Sequence, residues 1–194
     1  IAYAATAQSG GRSSIAFASH FGGVSLGVLL ALAFGLHREA AVEMIWIRSR
    51  RHADDRNWFA ALGETLSYLR RVPGDEEAWL QSARLNRIMN RPEESGLGYR
   101  KAIDLFWARG ERDRAVTALR EMRRHTPETR LRPGLLYRLA EHMEKNGDLG
   151  WASHAFHDYA RIYPDHERAP AALLKSAEIE SRYQNKTILI VSHE

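Results

Sequence analysis

Several features common in enzymes and secreted proteins are missing from this chain of 194 residues. It has no cysteine, which excludes disulfide bonds and agrees with a cytosolic location. No glycine-rich loop carrying a lysine occurs, so nothing would hold the phosphates of ATP. A one-sided charge is also missing, because 24 acidic residues are interspersed among 28 basic ones. Since nucleic-acid binding usually needs a basic stripe, the formal charge of +4 does not predict a nucleic-acid partner.

Full charges are absent from residues 15–36 as well, a mostly apolar run of 22 residues. This length matches a helix that crosses ~30 Å of hydrocarbon, so the run predicts a transmembrane helix. His20 lies inside it. Because an ionisable side chain at membrane depth is costly and normally faces other helices or a cavity, His20 is the first functional candidate.

His20, Gly23 and Gly27 fall on one face of this helix, where the glycines would let a neighbouring helix approach closely. The pattern resembles the last core helix of rhomboid intramembrane serine proteases, over about residues 6–36. The resemblance implies that His20 is the catalytic general base for a serine on another helix, and that Gly23 and Gly27 are helix-packing residues.

The family's Gly-x-Ser-Gly motif does not occur in this chain, which begins at Ile1. We therefore expect the nucleophile to lie on earlier helices outside it, and the chain alone to be inactive. A second interpretation is a membrane anchor in which His20 only hydrogen-bonds to a neighbouring helix.

Basic residues follow the predicted span, at Arg38, Arg48, Arg50 and Arg51. By the positive-inside rule they place the C-terminal side in the cytoplasm, and we expect an integral protein of the bacterial inner membrane. Residues 1–37 would then be a loop and the last transmembrane helix, and residues 38–55 a basic juxtamembrane linker. Trp46 near the arginines favours an interfacial helix, while a helical linker that only clears the membrane is equally open.

From residue 56 onward the sequence repeats with a period of 37 residues. Four residues recur one period later, with Gly110, Ala115, Leu119 and Pro127 matching Gly147, Ala152, Phe156 and Pro164. The preceding helices match too, with Tyr99, Ala102, Ile103 and Phe106 corresponding to Leu136, Leu139, Ala140 and Met143. Leu62, Leu66, Leu69 and Ala78 occupy corresponding places one period earlier. Offsets of three and four within each set predict pairs of amphipathic helices.

Helix pairs with a small residue at their crossing and a proline after the second helix resemble tetratricopeptide repeats. The resemblance implies close helix contact at Ala115 and Ala152, and a turn at Gly147. The expected fold class is therefore all-α, with one transmembrane helix followed by a tetratricopeptide-like α-solenoid of antiparallel helix pairs over residues 56–185. The repeats would cover residues 56–92, 96–127 and 133–164, with the first helix of a fourth near 169–183.

Stacked repeats create a concave face suited to an extended peptide or a partner helix. The register places seven residues on this groove, namely Arg100, Asp104 and Trp107 from one first helix and Tyr137, Glu141, Glu144 and Lys145 from the next. We expect them to bind a peptide or protein partner, although most such positions in helical repeats are simply solvated surface. The resemblance implies no cofactor.

Two weaker patterns lie on the last helices and at the chain end. His154, His157 and Asp158 lie one turn apart, but the apolar stripe of their helix leaves His154 and Asp158 facing water, and no further ligand is suggested, so no metal site is predicted. The tail at residues 186–194 contains four consecutive apolar residues, which predict a buried strand in an otherwise irregular chain end.

These features predict the C-terminal part of a rhomboid-like intramembrane serine endopeptidase. It would cut a transmembrane protein substrate with the help of His20, and its cytosolic arm would recruit substrates, adaptors or other copies of itself. The alternative is a membrane-anchored tetratricopeptide-repeat scaffold without enzymatic activity.

Overall fold

The computed structural model describes residues 26–27, 30 and 36–191, and this part of the chain is helical with no β-strand. Eight helices occur between residues 36 and 191: α1 (Leu36–Asp54), α2 (Trp58–Leu69), α3 (Glu76–Ile88), α4 (Pro92–Ala108), α5 (Arg112–His125), α6 (Pro133–Lys145), α7 (Leu149–Ile162) and α8 (Ala169–Val191). The expected all-α class is confirmed for these residues. By its contacts the chain divides into two units, Ile1–Ile47 and Arg48–Glu194.

Local sequence signals set the ends of the helices in the second unit. The Asp75 side chain caps α3 by accepting a hydrogen bond of 2.9 Å from a backbone amide of its first turn. Pro92 and Pro133 begin α4 and α6, at positions where no intrahelical amide bond is lost. Gly110 and Gly147 have φ angles of +82° and +77° in the α4–α5 and α6–α7 turns, a conformation that costs glycine little. The predicted period of 37 residues is therefore present in the backbone.

Side-chain burial follows the same period. Two equivalent positions, spaced 37 residues apart, are buried in three successive helix pairs. One position holds Ala78, Ala115 and Ala152, and the other holds Leu62, Tyr99 and Leu136. The sequence also predicts burial of Leu66, but its side chain is 39% exposed, whereas Ile103 and Ala140 in the same register are fully buried. The first helix pair is therefore the most divergent.

Helices α3 and α4 approach each other closely around Ala83. A Cβ atom added to Gly98 would lie 2.9 Å from the Cα, Cβ and backbone nitrogen of Ala83. Beside it, the buried Ser95 hydroxyl donates a hydrogen bond of 2.9 Å to the Ala83 carbonyl oxygen. Small side chains thus let the two backbones meet.

An ion pair joins equivalent positions of consecutive repeats. Arg84 of α3 and Glu121 of α5 lie 37 residues apart, and the Arg84 guanidinium donates to both carboxylate oxygens, at 3.0 and 2.8 Å. The Tyr99 hydroxyl donates to Glu121 at 2.8 Å. Burial, followed by this hydrogen bond, raises the pKa of Tyr99. Burial alone would raise the pKa of Glu121, but the bonds from Arg84 and Tyr99 outweigh it and lower that pKa.

The end of α1 packs within the second unit. Ser49 is fully buried and donates a hydrogen bond of 3.0 Å to the Ala61 carbonyl oxygen. Its hydroxyl also lies 2.7 Å from the hydroxyl of Thr65 and accepts a bond of 2.7 Å from the Gln81 amide. Residues 48–54, which the sequence assigned to the juxtamembrane linker, therefore belong to the helical packing of this unit.

The strand predicted near the C-terminus is wrong. Helix α8 continues through this segment to Val191. A short run of apolar residues fits either a strand or a buried helix, and no turn signal separates this run from the preceding helix.

The predicted membrane span, residues 15–36, lies mostly outside the described residues. Residues 26–27, 30 and 36 are helical. Within the described part of the chain, no helix combines the length and apolarity that crossing a bilayer requires.

Candidate protein-binding site

Of the three residues predicted for the membrane-embedded site, two lie outside the described residues. These are His20 and Gly23. Gly27 is helical and exposed, and a Cβ added there would meet no atom within 4 Å. All seven residues of the predicted groove lie within the described part of the chain, on α4 and α6.

Trp107, in the last turn of α4, is held by cationic and aromatic neighbours. The guanidinium of Arg112 lies 5.5 Å from the ring centroid, and that of Arg138 on α6 lies 5.6 Å from it. The ring of His142 meets the indole edge to face at 6.1 Å. Cation–π contacts of this kind fix the orientation of an indole ring, so Trp107 forms a half-buried, ordered part of the surface.

Asp104 connects α4 to the beginning of α6. Its carboxylate accepts a hydrogen bond of 2.7 Å from the Arg132 guanidinium, and this bond raises the pKa of Arg132. The carboxylate is thus already paired within the chain.

Tyr137, which the sequence placed on the groove, lies instead in the core and is only 6% exposed. Its ring packs edge to face against Phe156 at 5.4 Å and Tyr159 at 5.3 Å, both on α7. The guanidinium of Arg168 covers it at 5.2 Å. A partner would therefore meet the Arg168 side chain before the tyrosine ring.

Glu144 is paired with a residue of the last helix. Its carboxylate accepts a hydrogen bond of 2.6 Å from the Lys175 ammonium, which raises the pKa of Lys175. The same ammonium lies 5.1 Å from the centroid of the Phe156 ring. This pair joins α6 to α8, as the Trp107–Arg138 contact joins α4 to α6.

The remaining groove residues make no such hydrogen bonds, although Glu141 lies close enough to Lys175 to help raise its pKa. Arg100 and Lys145 are exposed, Glu141 is half-buried, and none of the three makes a hydrogen bond or ion pair with another described residue. The two cations and the carboxylate can thus form hydrogen bonds with a partner that lies along the first helices. Such a mixed set suits a polar peptide with charges of both signs.

Sequence reasoning missed the cations that partner the groove residues, although the repeat contains the signal. Arg138 and Lys175 lie 37 residues apart, and so do the residues they contact, Trp107 and Glu144. Each cation therefore reaches back to the same position of the preceding first helix.

His154, His157 and Asp158, for which the sequence predicts no metal site, lie on α7. His154 and His157 are exposed there. Asp158, which the sequence placed in water, lies 3.4 Å from Arg123 and 3.0 Å from Arg161, as measured between the paired nitrogen and oxygen atoms. Asp158 is therefore partly exposed, and Arg123 in the basic last turn of α5 reaches its carboxylate.

Comparison with known proteins supplies no further constraint. No protein-family model matches the chain, and no curated protein matches it significantly. The residue patterns and the geometry above are therefore the basis of the functional proposal.

Proposed function

We propose that this chain is the C-terminal part of a rhomboid-like intramembrane serine protease, and that its helical repeats bind a protein partner through their first helices. The catalytic part of the proposal rests on the His20, Gly23 and Gly27 pattern in an uncharged run. The binding part is supported by one observation above all, the exposed and unpaired cations Arg100 and Lys145 on neighbouring first helices.

The chemistry assigned to His20 follows from the properties of imidazole. A serine hydroxyl is a weak nucleophile until a neighbouring base takes its proton, and an imidazole titrates near neutrality. His20 would accept that proton during attack on the peptide carbonyl and return it to the departing amine. Gly23 and Gly27 would allow the serine-bearing helix to come within hydrogen-bonding distance.

Cleavage of a model transmembrane substrate by the full-length protein tests the catalytic part. We expect His20→Ala to lower kcat by about 10²–10⁴-fold, the usual contribution of a general base. The control Ser19→Ala, at the residue before His20, should keep the wild-type activity. Equal activity of wild type and His20→Ala would contradict the protease proposal. His20 would then be structural, and the interpretation of this segment as a membrane anchor would be preferred.

The binding part is tested by charge reversal on the first helices. Arg100→Glu combined with Lys145→Glu should raise KM for a substrate that carries a cytosolic domain, and should leave kcat on a minimal transmembrane peptide unchanged. The control is Arg51→Glu combined with Arg87→Glu, which changes the net charge equally at exposed residues of α1 and α3, helices that contribute no residue to the predicted groove. Equal effects of the two double variants on KM would refute a role for the groove.

A further inference from the structure

A pocket of about 310 Å³ lies between α5 and α7, and it shares no residue with the predicted groove. Its charged lining consists of Arg123, Arg124, His154, Asp158 and Arg161. Three guanidinium groups thus face one carboxylate. The pocket is net positive at neutral pH even with the histidine uncharged.

The single carboxylate does not neutralise the three arginines. Asp158 is shared between Arg123 and Arg161. Arg124 makes no ion pair with another described residue, and its guanidinium lies 5.8 Å from the centroid of the Trp151 ring. A stacked guanidinium keeps its edge donors available for a carboxylate.

Arg123 supplies a second observation, a guanidinium nitrogen without a hydrogen-bond partner in the described part of the chain. Its side chain is only 12% exposed. One guanidinium nitrogen donates to the Pro127 carbonyl oxygen at 3.2 Å and Nε faces Asp158, but Nη2 is buried and has no hydrogen-bond partner in the described part of the chain. A buried donor on a charged group is costly to leave unpaired, so Arg123 retains hydrogen-bonding capacity that Asp158 and Pro127 do not use.

The rest of the lining is apolar. Leu119, Met143 and Ala155 form part of it, and the indole of Trp151 forms another part. A ligand that fits must therefore combine a carboxylate with an apolar group. A recess of this size admits one or two side chains and is too narrow for a bilayer surface to enter.

We propose that the pocket between α5 and α7 binds an acidic peptide segment, in which a glutamate or aspartate side chain reaches the three arginines and a neighbouring apolar side chain covers the apolar wall. This is a second protein-binding site of the repeats. It lies on the second helices of the pairs.

The test uses the whole chain in detergent and a short fluorescein-labelled peptide of alternating glutamate and leucine. Fluorescence anisotropy should show binding to the wild type that weakens as salt is added. Arg124→Glu combined with Arg161→Glu should weaken it about tenfold or more, which corresponds to ~1.4 kcal/mol. The matched control, Arg71→Glu with Arg182→Glu, should bind the peptide as the wild type does.

Two further arms make the result decisive. The variant Arg124→Gln with Arg161→Gln removes two positive charges without adding negative charges that would repel the peptide. Circular dichroism of this variant checks that its helical content matches that of the wild type. A peptide with glutamine in place of glutamate should not bind. The proposal is overturned if the glutamate peptide does not bind, if the glutamine peptide binds equally, or if the control variant loses as much affinity. It is also overturned if only phosphatidylglycerol vesicles depend on Arg124 and Arg161, because the pocket would then serve a membrane surface.

Discussion

The substitution Gly98→Ala tests the close approach of α3 and α4. The added methyl group would lie 2.9 Å from three atoms of Ala83, two of them in the backbone. Backbone atoms cannot rotate away, so the helices must separate, and such overpacking typically costs about 1–3 kcal/mol. Alanine also favours a helix interior over glycine by ~1 kcal/mol, which offsets part of this cost. We therefore expect a net loss of up to about 2 kcal/mol in the free energy of unfolding.

The matched control is Gly63→Ala in α2. A Cβ atom there would meet nothing within 4 Å, so only the gain in helix propensity remains. The same chemical change should thus stabilise the protein at one glycine by up to ~1 kcal/mol and destabilise it at the other.

Urea and thermal denaturation, followed by circular dichroism, measure both variants. For a domain of this size each kcal/mol shifts Tm by about 2–4 °C, so Gly98→Ala should lower Tm by up to about 8 °C and Gly63→Ala should raise it by up to about 4 °C. An increase in Tm for Gly98→Ala equal to that for Gly63→Ala would refute the reasoning. It would mean that α3 and α4 lie farther apart than the structure places them.

Two further predictions concern the repeat core and the partly exposed Arg84–Glu121 ion pair. Ala115→Leu places a large side chain at a fully buried helix crossing and should lower the free energy of unfolding by about 1–3 kcal/mol, measured by urea denaturation, whereas a change near zero would show a loose crossing. The pKa of Glu121 is lowered in the folded state, so its contribution to stability is fully present above its unfolded pKa of about 4.3 and is lost as the pH falls through the folded pKa. The stability difference between wild type and Glu121→Gln should therefore shrink between pH 6 and about pH 3, and a constant difference would contradict the assigned pKa shift.

The period of the sequence was enough to predict the turns and crossings of the second and third helix pairs. Gly110 and Gly147 have the same left-handed conformation, and Ala115 and Ala152 are equally buried. This agreement has a physical cause, since equivalent positions of stacked repeats meet equivalent neighbours.

The same period failed where equivalent positions hold different side chains. Arg100 and Tyr137 share a register, so both were placed on the groove, but only Arg100 is exposed. A guanidinium stays in water, whereas an aromatic ring gains by packing against Phe156 and Tyr159 of α7. The pocket between α5 and α7 could likewise not be predicted from the sequence, because its charges depend on Arg123 of α5 reaching Asp158 on α7.

Contacts within the groove determine how a partner can use it. A partner carboxylate that reaches Lys175 must compete with Glu144, but a partly exposed pair of this kind contributes only about 0.2–1 kcal/mol, so the exchange is inexpensive. The existing pairs also hold the side chains in place, which reduces the conformational entropy that binding would remove. Paired residues such as Trp107 and Glu144 would therefore set the shape of the groove, while the unpaired Arg100 and Lys145 would set its preference among partners, which is why charge reversal at those two residues is the more selective test.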